Sequence, residues 1–241
     1  MKAQTFYKAT ALTHKWAGIT IGIQVLLWIV GGLYMSWFDI TIVRGNHLVE
    51  TVAPVQVSAE THNQRGLQVW LEQYQEPVTG YRAASLHGEP VFIVDGFIET
   101  IVLDGPTGQQ LSPFTADWAK RTASRLYIGS GEIAGAEIRS DNFPDLKGSD
   151  ALWKIHFDDS DSTALYLDPE SGALRAVRTD IWRIFDIMWM LHIMDYDDRS
   201  DISNPLLISF SIASLLFMIS GFILAWFRFS RRDFKWLLPK K

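Results

Sequence analysis

Two histidines stand where the chain is otherwise apolar, and with Cys absent imidazole is the side chain best suited to hold a transition metal here. His14 lies two residues ahead of a long uncharged run, in Leu12-Thr13-His14-Lys15-Trp16-Ala17-Gly18, and His192 interrupts Ile187-Met188-Trp189-Met190-Leu191-His192-Ile193-Met194. Imidazole among membrane helices is a ligand type for haem iron. His14 reads equally as an interfacial polar residue that anchors a span. For His192, helical spacing sets Met188 and Trp189 at i−4 and i−3 and Asp195 and Tyr196 at i+3 and i+4, so a carboxylate and a phenol are expected to orient the ring. Its other readings are a satisfied interfacial histidine and a pH-sensitive contact with the soluble part.

The remaining chemistry is thinner. Lack of Cys excludes disulfides, thiolate catalysis, zinc ribbons and iron–sulfur ligation by this chain. His47, His62, His87 and His156 show no i, i+3 or i, i+4 pairing, so no zinc site is indicated. Asp158-Asp159-Ser160-Asp161 and the run Asp195 to Asp201 lack the Gly and terminal Glu of an EF-hand loop, and the first reads as a polar hairpin turn. No G-x-S-x-G, P-loop or dinucleotide fingerprint occurs. A net charge of −5 and a pI near 5.7 exclude a generally basic surface, so no nucleic-acid partner is expected.

What must position these residues is a membrane. Of 241 residues 48% are hydrophobic, and two runs, Trp16 to Phe38 and Pro205 to Phe227, carry no ionisable side chain. At ~1.5 Å per residue each crosses a ~30 Å hydrocarbon layer. The first outlasts a signal-peptide core and has no small-residue cleavage pattern, so it is expected to stay as an anchor. Three Lys precede it, and six Lys and Arg against Asp233 follow the second run, so the two tails carry +8; between the runs 13 basic residues face 26 acidic ones, giving −13. The basic tails predict cytoplasmic termini and residues 39–204 in the periplasm of a bacterial inner membrane. Trp16, Trp37, Trp226 and Trp236 suit the ends of the spans.

Between the spans a unit occurs twice. Thr100-Ile101-Val102-Leu103 runs into Asp104-Gly105-Pro106-Thr107-Gly108, and Ala164-Leu165-Tyr166-Leu167 into Asp168-Pro169-Glu170-Ser171-Gly172, at an offset of 64 in both Asp and Gly. Asp bonds the backbone ahead and Gly accepts a positive φ, so each motif closes a strand with a tight turn. Upstream lie strand candidates at 80–86 and 90–94, then 132–139 and 152–157, preceded by helical patterns over 58–74 and 115–127. The resulting plan is 1–15 tail, 16–38 first span, 39–56 linker, 57–113 and 114–179 repeat units, 180–204 interfacial amphipathic segment, 205–227 second span and 228–241 basic tail. The fold class is an α+β membrane protein, two transmembrane helices flanking a tandem repeat of helix plus three-stranded antiparallel sheet.

The doubled unit ending in D-[GP]-x-x-G, the opening Leu12-Thr13-His14-Lys15-Trp16-Ala17-Gly18 and the Trp189-Met190-Leu191-His192 ahead of the last span resemble the PepSY-associated transmembrane proteins of bacterial inner membranes. Members of that family include multi-span proteins similar to ferric-siderophore reductases, with b-type haem held between histidines. The resemblance implies an electron-transfer or reductase component with His14 and His192 as haem ligands, although this chain has two spans where larger members have four or more. Placed at opposite membrane faces, the two rings stand ~30 Å apart and cannot share one iron. A homodimer pairing each His with its symmetry mate, or a partner subunit, would complete two sites. Gly18-x-x-x-Gly22, Gly31-Gly32, Ser209-x-x-x-Ala213 and Ser220-Gly221 offer small contact surfaces for such packing. A different class of function is a membrane-anchored scaffold or regulator whose repeats bind a periplasmic protein; recognition of a ferric chelate by the acidic domain is a third.

Overall fold

The computed structural model describes residues 2–139, 151–197 and 199–228, with side chains from residue 5. Most of the basic tail at 228–241, Trp236 included, lies outside the described residues. The chain divides into a helical unit of residues 1–38 and 185–241 and a soluble unit of residues 39–184. This is the α+β layout the sequence predicts, two long apolar helices flanking two antiparallel sheets.

Helix α1 (Lys2–Trp37) is longer than the uncharged run because Thr5 to Lys15, though it carries two Lys, contains no Gly or Pro to stop it. A one-turn α2 (Ile40–Val43), capped by Asp39, and a 3₁₀ turn at Asn46–Leu48 follow. The first repeat is α3 (Gln64–Gln73), capped by Asn63, then β1 (Val78–Leu86), β2 (Glu89–Gly96) and β3 (Thr100–Asp104) in the order β1-β2-β3. Its core sets Leu67 of α3 against Phe92, Val94, Ile101 and Leu103. The second repeat is α4 (Ala116–Leu126), capped by Thr115, then β4 (Ile133–Arg139), β5 (Leu152–Phe157), β6 (Ala164–Leu167) and β7 (Leu174–Arg178). Ala119, Ala123 and Leu126 of α4 pack on Ile155, Phe157, Leu165, Leu167 and Val177. Helix α5 (Asp180–Ile193) leaves the soluble unit and ends in the helical one, where α6 (Pro205–Arg228) completes the chain.

The two strand-closing turns match bond for bond. Gly108 N–H donates to Asp104 O and Gly172 N–H to Asp168 O, at 2.8 and 2.9 Å, and the glycines take φ of +73° and +69°. Both sheets open on a bulge, after Val78 and after Ile133, where a glycine follows within two residues. The offset is 53 at the helix-ending pair Tyr74 and Tyr127, 55 at Gly80 and Gly135, and 64 at the turns. The added residues fall between β4 and β5, where the first repeat has only His87 and Gly88.

The second sheet has four strands where a three-stranded meander is expected. After Gly172 the chain turns back as β7 along β6. The first repeat starts the same return, with Gln110 bridging Leu103 and Leu111 N–H donating to Val102 O, but Pro113 then removes a donor and stops it.

Candidate functional site

Helix α6 runs antiparallel to the lower part of α1: Tyr7 meets Phe227, His14 meets Ser220, and Gly18 faces Phe217 closely enough that an added Cβ would lie 3.3 Å from its ring. Seven residues separate Ser220 from Phe227, so His14 lies ~10 Å inside the apolar length of α6. This corrects the expectation of a residue at the cytoplasmic face ahead of the span: α1 begins twelve positions before His14, and the register with α6 carries the ring inward. The half-buried imidazole stacks on Phe217 with ring centroids 4.3 Å apart and planes 7° apart. Its Nδ1 is 2.6 Å from Ser220 Oγ, and the Ser220 hydroxyl donates to Phe217 O at 2.7 Å. Opposite the ring is Gly221, where a Cβ would come within 3.2 Å of His14 Cε1. Nothing bonds Nε2 among the described residues.

The upper part of α1 packs instead on the end of α5. Buried Gln24, the one strongly polar residue of the first span, donates from Nε2 to Leu191 O at 2.9 Å. That carbonyl belongs to the last turn of α5 and has no helical partner of its own. Asn204 caps the same end, donating to Ile193 O. Gly31 lets the backbone of Met188 approach, and Trp28 lies beside His192 with ring centroids 6.1 Å apart. Gly22 and Gly32, the other halves of the small-residue motifs, face open space.

The expected partners of His192 do not reach it. Helix α5 stops at Ile193, and Met194 adopts φ +54°, so Asp195 and Tyr196 leave the helical face on which they would stand at i+3 and i+4. The Asp195 carboxylate accepts instead from the backbone of Ser200 and Asp201, at 2.8 and 2.9 Å. His192 Nδ1 and Trp28 Nε1 are both enclosed and without a hydrogen-bond partner, which leaves Nε2 as the atom of His192 that can reach a metal. Asp186, buried four positions before Met190, pairs with Arg199. Sequence reading gives Gln24 no role, although its isolation in an apolar run was an available signal, and takes Ser220-Gly221 only as a small contact surface, not as partners of His14.

Trp28 is 14 positions from His14 along α1, so the two imidazoles are separated by ~21 Å along the helix axis. That is shorter than a full hydrocarbon thickness, yet far too long for one iron. Each ring therefore offers its Nε2 at a separate level. The acidic runs supply none: among the described residues no cluster of three His, Asp or Glu could hold a metal ion. Burial favours a raised Asp159 carboxyl pKa, but donation by Thr163 and Tyr127 outweighs it and holds the group below its ordinary range. Burial likewise opposes ionisation of Asp168, and the N–H groups of Ser171 and Glu170 with Arg175 overcome it.

The family described as PepSY-associated TM region matches residues 11–241, almost the whole chain. The chain belongs to that family. No curated protein and no solved structure matches it. Two helices, Thr5–Trp37 within α1 and Pro205–Arg228, are long and apolar enough to cross a bilayer, so this PepSY-type protein is a membrane protein with a lipid environment around its helical unit. In its soluble unit a pocket of about 380 Å³ is lined by residues of both repeats, Val91, Phe114 and Trp118 among them. The exposed Arg125–Glu89 ion pair, at 2.5 Å, also lines it.

Proposed function

We propose that this PepSY-type protein is an inner-membrane component of an electron-transfer or ferric/siderophore reductase system, in which His14 and His192 each hold a b-type haem. The observation that carries this reading is the placement of two imidazoles at separate levels along α1, His14 on that helix and His192 on α5 packed beside it, each with Nε2 unspent. Haem would supply one-electron exchange. The chain's own residues do the holding: Phe217 and Ser220 set the plane of His14 and Gly221 leaves its edge clear, while Trp28 lies beside His192, whose enclosed Nδ1 leaves Nε2 for ligation. A second histidine for each group comes from a second copy or a membrane partner subunit, because the two rings of one chain are too far apart. The charge division of the sequence supports cytoplasmic termini and a periplasmic 39–204, which would carry electrons toward a periplasmic protein or ferric-chelate acceptor.

Reduced-minus-oxidised absorbance of the detergent-extracted protein tests it. The expected result is a b-type spectrum that falls by about half in His14→Ala and again in His192→Ala, each site contributing one group. Absence of a Soret band after haem supplementation overturns the reading. The pocket between the repeats favours a second reading, a non-catalytic scaffold or regulator that binds a periplasmic partner. In that case Trp118→Ala abolishes function while both histidine variants retain it.

A further inference from the structure

We infer that Ser220 is the positioning residue that makes His14 a ligand, by fixing its imidazole as the Nδ1–H tautomer with the lone pair on Nε2. A serine hydroxyl has one proton to give. Here Oγ lies 2.6 Å from His14 Nδ1 and 2.7 Å from Phe217 O, and a carbonyl can only accept. If the hydroxyl proton goes to Phe217 O, the imidazole donates from Nδ1 and both short contacts are hydrogen bonds. If it goes to Nδ1 instead, the Phe217 contact is lost and the ring must carry its proton on Nε2, which has no acceptor among the described residues. An unpaired N–H in an apolar setting is costly, so two bonds with a bare lone pair win over one bond with an orphan donor. Two further contacts preserve the arrangement. Phe217, which supplies the accepting carbonyl, also stacks on the imidazole, and Gly221, the next residue after Ser220, lets the ring lie flat against α6.

His192 has no counterpart to this device: its Nδ1 is enclosed and unpartnered. The two imidazoles therefore differ as ligands. A ring that donates from Nδ1 is a stronger electron donor at Nε2, so a metal held by His14 is stabilised in its oxidised state relative to one held by His192. The inference gains its functional meaning from the haem reading, but the tautomer is a property of the chain alone.

The test uses the full chain in lipid nanodiscs without haem, labelled with ¹⁵N-histidine, His14 being identified by the resonances that vanish in His14→Gln. The expected result is a pyrrole-type Nδ1 and a pyridine-type Nε2 for His14, a mixed signal in Ser220→Ala, and recovery in Ser220→Thr. A protonated Nε2 in the native chain, or a tautomer unchanged in Ser220→Ala, overturns it. Where haem is bound, Ser220→Ala also shifts the His14 group to a more positive reduction potential and leaves the His192 group unmoved. Lack of haem would sink the electron-transfer reading while the nitrogen resonances still decide the role of Ser220.

Discussion

The two halves of α1 treat polar atoms in opposite ways. Against α6, the polar atoms of the His14–Ser220 contact are spent in sequence: imidazole Nδ1 to hydroxyl, hydroxyl to carbonyl. Against α5, Gln24 is spent on a helix end, while Trp28 Nε1 and His192 Nδ1 are enclosed and unpaired within one ring contact of each other. The difference follows from the packing partner. Helix α6 is continuous through the contact, so its serine can bond back to its own ladder and still offer a lone pair. Helix α5 ends there, and the polar atoms supplied by α1 must serve its bare carbonyls first. A continuous helix can tune a side chain; a terminating one consumes polar atoms to finish itself.

The largest effect expected from testing this contrast is at Gln24. Gln24→Leu removes the donor to Leu191 O and leaves a part-buried carbonyl at the helix end unpaired, which costs about 1–3 kcal/mol. Unfolding in mixed detergent micelles, read by Trp fluorescence, measures it. Loss of packing between α1 and α5 with α1–α6 packing intact is the specific outcome; an unchanged midpoint would mean that Leu191 O is satisfied without Gln24.

Much of this fold is written in local pattern. The paired Asp-to-Gly turns, the amphipathic helices over 64–73 and 116–126, and the two apolar helices all follow from short-range rules of turn chemistry and periodicity. The fourth strand does not, because Leu174 to Arg178 resembles any short strand and only the Pro at 113 in the other repeat makes the two returns differ. Of the site, the two histidines were legible as imidazoles in apolar surroundings. Their surroundings were not, since the α1–α6 register pairs residues 206 positions apart and no sequence period reports it. Asp195 and Tyr196 mislead because helical spacing assumes that the helix continues, and Met194 ends it with a left-handed backbone that β-unbranched residues adopt at a cost.

A smaller effect separates two glycines of the helical unit. A methyl at Gly221 would stand 3.2 Å from His14 Cε1, tight enough that the ring must give by tenths of an ångström against Phe217 behind it, whereas a methyl at Gly31 would meet Met188 O at an ordinary 3.5 Å. Gly221→Ala is expected to cost about 1 kcal/mol through overpacking and to loosen the His14–Ser220 bond. Gly31→Ala should stay within about 0.5 kcal/mol. The same micelle unfolding compares them, and equal costs at both positions would remove the distinction between the two seams.

The smallest effect is the most telling for the unpaired side. Trp28→Phe deletes the indole N–H while keeping an aromatic ring against His192. Ordinarily the loss of a Trp hydrogen bond is destabilising, but here the donor has no acceptor, so its removal relieves a desolvated group rather than breaking a bond. Against that stands the smaller ring; Trp28 is only half-buried, so lipid or detergent can fill the space that the indole leaves. The two terms oppose, and the expected change is within about 0.5 kcal/mol of zero. A loss above about 1 kcal/mol in the same titration would show that the indole donates to a bound water or ligand between Trp28 and His192. The polar atoms around His192 would then be as fully paired as the His14–Ser220 contact, and the contrast between a continuous and a terminating helix would fall with it.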